Sequence, residues 1–270
     1  MLKIVISPAK KMNITDEFPC NATVPVFSDR ADVLHGILKN KNIQELKTLW
    51  KCSDKLAEQN YQRLHAFSPD QAVTPALLAY EGIQYQHIAP SVFTDAQWHY
   101  VNVHLRILSG FYGILKPTDK VIPYRLEMQA KLEAAKKNDL YEYWSDTLYQ
   151  SLLAEGMTEL VNLASAEYSK AILPYKNIRC ITCIFGEEVN GKITSALRLR
   201  SPAAKWYAGW QIRKSKAFRT SVNSKNWDIV FLPLIPRRTL TLFLFDLTAA
   251  LFCICGHITP IWAANDNLGC

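Results

Sequence analysis

The distribution of charge along the chain constrains its folding more than any other feature, because it separates the first 193 residues from the rest. Ten of the 31 Lys and Arg residues follow residue 193, but only three of the 24 Asp and Glu residues do, and all three are Asp. Residues 1–193 are therefore neutral, and residues 194–270 carry the whole net charge of +7. Globular domains usually mix both signs of charge. We therefore expect one folded domain over residues 1–193 and an anomalous tail over residues 194–270.

Alternating apolar patterns within the first part predict a single mixed domain of the α/β (α+β) class. Short apolar runs typical of strands occupy residues 3–6, 159–165 and 178–185, and stretches with helical spacing lie between them. The predicted helices cover residues 31–41, 43–50, 54–66, 75–80, 95–108, 125–138, 148–155 and 166–172. The tail has no such pattern, so we expect irregular structure there.

The cysteines and the ends of the chain indicate a cytoplasmic protein. Seven Cys residues are scattered without a framework pattern, and no export signal is recognisable, so we interpret them as reduced thiols. One apolar stretch, residues 239–255, is a candidate membrane anchor. Asp246 near its centre opposes insertion into a bilayer, so we expect a buried segment there and no membrane partner.

The pair Cys180 and Cys183 has the CxxC spacing of redox and metal sites. It falls in a predicted strand, where the two sulfurs point to opposite faces, and no further ligand pair stands near it in the sequence. We interpret both as buried structural thiols and expect no metal and no cofactor.

The segment SGFYGILKP, residues 109–117, is the sharpest local feature. Two glycines bracket Phe111 and Tyr112 between two predicted helices, which makes residues 95–138 a candidate helix–hairpin–helix element. Glycine allows exposed backbone N–H groups to approach a phosphate closely, so such an element would bind a nucleic-acid backbone without sequence preference. An ordinary turn between two helices with a glycine C-cap is the alternative.

Enzymatic motifs are weak in this chain. It contains neither a phosphate-binding P-loop nor a GxGxxG motif, and its six His residues lack a neighbouring nucleophile motif. We assign no catalytic residue and expect that an enzyme is the less favoured interpretation. An enzyme acting on an anionic small molecule would need titratable groups converging in a cleft, such as Asp54, Glu127 or Tyr124.

Several motifs occur in the order found in one protein family. They are ISPAK at residues 6–10, SDKLA at residues 53–57 with Asn60 and Arg63, HLRILSGFYGILKPTDKVIPYRLEM at residues 104–128, DLYEYW at residues 139–144 and VNLASAEYSKAI at residues 161–172. Residues 1–193 therefore resemble the YaaA-type bacterial peroxide-stress resistance proteins.

The resemblance implies protection against hydroperoxide stress by limiting the damage that free iron causes to DNA and protein. It also implies an α/β fold with a helix–hairpin–helix element, a basic cleft and binding to DNA. By position, the nucleic-acid-binding residues are Ser109, Gly110, Phe111, Tyr112, Gly113 and Lys116. The basic cleft is implied at Lys10, Lys55, Arg106, Arg125 and Lys170.

Residues 194–270 depart from this family, and a change of reading frame near residue 193 would explain the departure. When the codons of residues 203–210 are read with one offset, allowed codons give Gly-Glu-Met-Val-Arg-Trp-Met, which fits the basic stretch that the family has there. The same offset over residues 226–232 gives Leu-Gly-Tyr-Arg-Phe-Ser, which fits its final segment. We therefore interpret the tail as a frameshift product that packs poorly.

Overall fold

A computed structural model of the chain describes residues 1–189, 192–195 and 228–231. Its strands are β1 (Leu2–Ile6), β2 (Lys11–Met12), β3 (Thr74–Pro75), β4 (Tyr80–Glu81), β5 (Leu105–Ser109), β6 (Gly113–Leu115), β7 (Lys120–Val121), β8 (Glu159–Asn162), β9 (Arg179–Val189), β10 (Lys192–Ser195) and β11 (Asp228–Phe231). Its helices are α1 (Ser28–Lys39), α2 (Ile43–Trp50), α3 (Asp54–Ala66), α4 (Ala76–Ala79), α5 (Ile83–Ile88), α6 (Asp95–His104), α7 (Leu140–Trp144), α8 (Thr147–Ala154) and α9 (Ala166–Ser169). The mixture of helices and strands confirms the predicted α/β class.

The main sheet has the strand order β10-β9-β8-β1-β5-β6, with β11 also paired to β9. Strands β1, β5, β8 and β9 run parallel to one another, whereas β6 returns antiparallel to β5. The chain leaves β1 towards β5 on one side and later leaves β8 towards β9 on the other side. The carboxyl ends of β1 and β8 therefore form the switch point at which open α/β sheets usually bind ligands.

The centre of the sheet is buried on both faces. All five residues of β5 are buried, and in β1 all residues after Leu2 are buried. Burial on both faces explains why these strands are mostly apolar and do not alternate between apolar and exposed polar residues. The two charged residues in them, Lys3 and Arg106, are also buried and pair with Glu155. The core continues into the helices through the fully buried residues Leu34, Leu46, Trp144 and Leu148.

Local signals in the sequence predicted several helices correctly. Helices α2 and α3 begin and end at the predicted residues, 43–50 and 54–66. A capping box sets the start of α2, since the Asn42 side chain accepts the N–H groups of Gln44 and Glu45 while the Glu45 carboxylate accepts that of Asn42. Helix α8 and strands β1, β8 and β9 also lie where the pattern placed them.

The predicted helix over residues 95–108 is half wrong. Helix α6 ends at His104, and residues 105–109 form β5, which pairs with β1 on one side and with β6 on the other. Four apolar or amphipathic residues in succession fit either a buried helix or a buried strand. Pairing with β1, a hundred residues earlier in the chain, selects the strand.

The predicted helix over residues 125–138 does not form. This segment is irregular, and a single bridge joins Ala134 to Lys137. Residues 126–128 pack with their backbone directly against Gly110, and a single turn follows, in which the Ala130 N–H donates to the Glu127 carbonyl at 3.0 Å. The next helix, α7, starts only after Asp139, whose side chain accepts the N–H of Glu142.

The predicted tail, residues 194–270, lies almost entirely outside the described residues. The described parts of it are the end of β10 and the strand β11, which pairs parallel with β9 between Asp228–Phe231 and residues 182–185. The predicted apolar stretch at residues 239–255 also lies outside the described residues.

Candidate functional site

The glycine-rich segment at residues 109–113 forms the turn of a β-hairpin. Ser109 and Gly113 pair across β5 and β6, and the Ser109 hydroxyl accepts the N–H groups of Phe111 and Tyr112. All five residues from Ser109 to Gly113 are buried. The prediction of an exposed helix–hairpin–helix element at this position is therefore wrong, because these N–H groups already have partners and face the core.

Gly110 is required for a different reason, which is a close approach between two backbones. A Cβ at Gly110 would stand 2.6 Å from the carbonyl oxygen of Leu126 and 2.9 Å from the carbonyl carbon of Glu127. We call residues 125–128 the charged strap, since they carry Arg125 and Glu127. Gly110 lets this strap lie directly on the hairpin turn.

Arg106 belongs to a buried ion-pair cluster and not to a basic cleft. Its side chain is 4% exposed and donates to both carboxylate oxygens of Glu155. Lys3 donates to the same carboxylate at 2.5 Å and to the carbonyl of Val103 at 2.7 Å. Burial opposes ionisation of Glu155, but hydrogen bonds from Arg106 and Lys3 outweigh it and lower the pKa of the Glu155 carboxyl. The cluster holds β1 and β5 against the end of α8.

Lys116 also lies away from the carboxyl ends of β1 and β8. It is half-buried after β6, and its N–H donates at 2.8 Å to the carboxylate of Asp119. Asp119 is buried and accepts a second hydrogen bond from the Thr23 hydroxyl at 2.6 Å. Burial raises the pKa of Asp119, although both hydrogen bonds oppose that rise.

The loops that follow β1 and β8 meet at the switch point of the sheet. The Ser7 hydroxyl accepts the N–H of Ser165 at 2.8 Å and lies 3.2 Å from the Ser165 hydroxyl. Beneath them, the Tyr85 hydroxyl donates to the carbonyl of Ser7 at 2.9 Å. We call the region where residues 7–10, the charged strap and residues 165–170 approach one another the crevice.

Three of the predicted cleft cations lie around this crevice. Lys10 contacts a Glu127 carboxylate oxygen at 2.8 Å, and an Arg125 terminal nitrogen lies 3.7 Å from the same oxygen. Lys170 lies over the ring of Tyr141, with its ammonium nitrogen 4.3 Å from the ring centre. The Tyr141 hydroxyl in turn donates to the carbonyl of Glu167 at 3.0 Å.

The crevice also holds carboxylates that the resemblance did not assign. Glu167 accepts the N–H of Gln129 at 3.2 Å, which joins α9 to the end of the charged strap. Burial raises the pKa of the Glu167 carboxyl, and the charge of Glu127 adds to the rise. The sequence suggested Glu127 for an enzymatic role. It did not indicate Glu167, because a single polar residue shortly after the end of a strand is a weak signal.

A cluster of buried tyrosines lies below the crevice. The Tyr124 hydroxyl is 2.6 Å from that of Tyr80 and 2.7 Å from that of Ser109. Burial is the main cause that raises the pKa of Tyr124 to about 12. Tyr124 therefore stays protonated at neutral pH and acts here as a hydrogen-bonding core residue.

Helices α2 and α3 form a helical hairpin, whereas the sequence predicted a helix–hairpin–helix element at residues 95–138. They pack on each other, and Lys51 between them adopts a left-handed conformation with φ of 46°. Lys55 lies exposed in the first turn of α3, and Asp54 beside it pairs with Lys47 at 2.5 Å. The Lys47 side chain lowers the pKa of Asp54. Lys55 therefore belongs to this helical hairpin, whereas Lys10, Arg125 and Lys170 lie around the crevice.

Among the residues that the structure describes, no three His, Cys, Asp or Glu side chains stand close enough to hold a metal ion. No helix in the same part of the chain has the length and apolar character needed to cross a membrane. Cys180 is buried in β9 opposite Leu160.

Similarity to known proteins shows the family of this chain. The family described as Peroxide stress protein YaaA matches residues 2–220. A UPF0246 protein of Pediococcus pentosaceus is 44% identical over 226 residues, which are 81% of this chain and 89% of that protein. UPF0246 proteins of Agathobacter rectalis and Desulfitobacterium hafniense are 50% identical over 197 residues and 47% over 194 residues. These matches cover 72% and 71% of this chain and 78% and 77% of those relatives. The chain belongs to the YaaA family of peroxide stress proteins.

Proposed function

We propose that this chain acts in the bacterial cytoplasm during hydroperoxide stress and limits damage by free iron, and that it binds DNA without sequence preference. Membership of the peroxide stress family supports the first part. The observation that supports DNA binding is the exposed start of α3. The binding element in this proposal is the hairpin of α2 and α3 in place of residues 109–113.

The start of α3 has the properties of a phosphate-binding element. Ser53 is its N-cap but makes no side-chain capping bond. The Asp54 carboxylate accepts its own backbone N–H, and the N–H groups of the next residues of this 13-residue helix are left for another acceptor. The positive end of the helix dipole lies at the start of α3. Two exposed cations, Lys51 and Lys55, lie on either side of this start in the sequence. Contacts of this kind bind phosphates regardless of base sequence.

Fluorescence anisotropy with duplexes of unrelated sequence tests this proposal on the full chain. We expect similar affinities for all duplexes and a steep loss of affinity as salt rises. The double substitution Lys51→Gln and Lys55→Gln should weaken binding about tenfold and make the salt dependence shallower by about two charges. Lys176→Gln, at an exposed lysine before β9, is the matched control and should change little.

Two outcomes would contradict DNA binding through α2 and α3. One is the absence of binding at low salt, and the other is equal weakening by Lys176→Gln. The iron-related part has its own measurement. Cells lacking this gene should show more free intracellular iron and more DNA breaks after hydroperoxide treatment, and an unchanged iron level would argue against that part.

A second candidate function is an enzyme acting on an anionic small molecule. The observation that favours it is the position of Lys10 and Arg125 beside the Glu127 carboxylate, with Glu167 close to Glu127, at the switch point of the sheet. A carboxyl whose pKa is raised by burial is a candidate general acid. Incubating the protein with a mixture of phosphorylated metabolites should deplete one of them, and Glu167→Gln should abolish the loss.

A further inference from the structure

The Arg125 side chain is a buried cation with unused hydrogen-bonding capacity. It is 10% exposed, and its Nε atom is buried with no hydrogen-bond partner among the described residues. Its closest charged neighbour is the Glu127 carboxylate at 3.7 Å, which is longer than a hydrogen bond. Buried polar atoms in folded proteins nearly always have partners, so the unpartnered Nε of Arg125 points to a ligand at this site.

The charges around Arg125 define what kind of ligand would be held. Lys10, Arg125 and Lys170 contribute three positive charges, and Glu127 and Glu167 contribute up to two negative charges. Three cations and two carboxylates leave these five groups with a net charge of +1, so the site attracts an anion. A phosphate monoester carries about −1.5 to −2 at neutral pH and is therefore opposite in sign to the site.

The shape of the site selects a small monoester over a nucleic-acid backbone. Arg125 is nine-tenths buried beneath the 64%-exposed Lys10, so a duplex lying on the surface would not reach its guanidinium. Guanidinium groups bind phosphate oxygens in pairs, whereas carboxylates accept hydrogen bonds from hydroxyl groups. The crevice contains a guanidinium group that can bind a phosphate and carboxylates that can accept hydrogen bonds from hydroxyl groups.

We propose that the crevice binds a small phosphate monoester that also bears hydroxyl groups, of the sugar phosphate or nucleoside monophosphate class. Arg125 and Lys10 hold the phosphate, and Glu127 and Glu167 accept from the hydroxyl groups. Glycine at position 110 keeps the charged strap in place. The proposal deepens the second candidate function by naming its ligand class, and it does not depend on DNA binding at α3.

Isothermal titration calorimetry of the full chain with ribose 5-phosphate tests the proposal. We expect saturable one-site binding that Arg125→Gln weakens at least tenfold and the more exposed Lys10→Gln weakens several-fold. Lys176→Gln, at an exposed lysine outside both proposed sites, is the matched control and should leave the affinity unchanged. Circular dichroism shows whether Arg125→Gln folds, and Lys10→Gln keeps the test decisive if it does not.

One further ligand and one further variant separate the role of the phosphate from that of the hydroxyl groups. Dimethyl phosphate, a diester without hydroxyl groups, should bind at least tenfold more weakly than ribose 5-phosphate. Glu167→Gln should reduce this difference in affinity, because Glu167 accepts from hydroxyl groups that only ribose 5-phosphate has. The proposal would be overturned if ribose 5-phosphate failed to bind, if the diester bound equally well, or if Lys10→Gln and Lys176→Gln had equal effects. Loss of DNA binding in the Lys51 and Lys55 variants with ribose 5-phosphate binding intact would concern α3 alone.

Discussion

Gly110 lies against the backbone of Glu127, with the position of a missing Cβ only 2.9 Å from the Glu127 carbonyl carbon. This contact joins the turn of the β5–β6 hairpin to the segment that carries the crevice charges. A glycine that suggested phosphate binding in the sequence therefore supports the functional region indirectly. It acts by allowing two backbones to touch.

Gly110→Ala should destabilise the protein by about 1–3 kcal/mol, because the added methyl group would overlap the backbone of Leu126 and Glu127. Denaturant unfolding measures this change. Gly36→Ala is the control, since a Cβ at Gly36 within α1 meets nothing within 4 Å and should stabilise the helix by roughly 0.5–1 kcal/mol. Similar effects of the two substitutions would refute the packing role of Gly110.

Glu155→Gln should destabilise the fold by about 2–4 kcal/mol, because it leaves the charges of Lys3 and Arg106 buried without their carboxylate. The estimate lies below that for a fully buried pair because a quarter of the Glu155 side chain is exposed. Glu159→Gln breaks a more exposed pair with Arg179 and should cost less than about 1 kcal/mol.

The pH dependence of the Glu155 effect follows from its lowered pKa. Its stabilisation is present above the unfolded-state pKa of about 4.3 and is lost as pH falls through the lower folded-state value. The difference between wild type and Glu155→Gln should therefore shrink in acid. A difference that grew below pH 4 would contradict this assignment.

Glu167→Gln should raise the melting temperature at neutral pH, because the raised pKa of Glu167 means that folding favours its protonated form. Below the unfolded-state pKa of about 4.3 both states are protonated, so the advantage of Gln should disappear there. As pH rises above that value, the wild type loses stability and the variant does not. Differential scanning calorimetry at pH 4 and pH 8 measures the comparison.

Glu142→Gln provides a control of opposite sign. Hydrogen bonds from Asn138 lower the pKa of the exposed Glu142 carboxyl, so its ionised form favours folding. Its replacement should lower the melting temperature at pH 8. If both variants shifted the melting temperature in the same direction, the electrostatic explanation of Glu167 would fail.

The charge imbalance after residue 193 predicts a single-base insertion or deletion near codon 193 relative to homologous genes. The family match extends to residue 220, so the comparison should cover codons 193–220. An uninterrupted frame throughout this region would refute a frameshift. If the frame has changed, restoring it should raise the melting temperature, because the present tail lacks the patterning of a folded segment.

Local sequence signals were enough to identify several elements and the family. Helices α2 and α3 were predicted to the residue, because capping and apolar spacing act over a few neighbouring positions. The ordered motifs over residues 6–172 identified the family without structural information. Three of the five predicted cleft cations, Lys10, Arg125 and Lys170, also lie around one crevice.

Long-range contacts decided the rest of the fold and of the site. Pairing of residues 105–109 with β1 replaced the second half of a predicted helix by a strand, and residues 126–128 pack with their backbone against Gly110 where a helix was predicted. Arg106 alternates onto the face of β5 that meets Glu155, so it left the predicted cleft for a buried ion pair. The sequence by itself determined which residues favour helices and which family the chain belongs to. Only the tertiary structure decided which charges meet, because their partners lie up to about 150 residues apart.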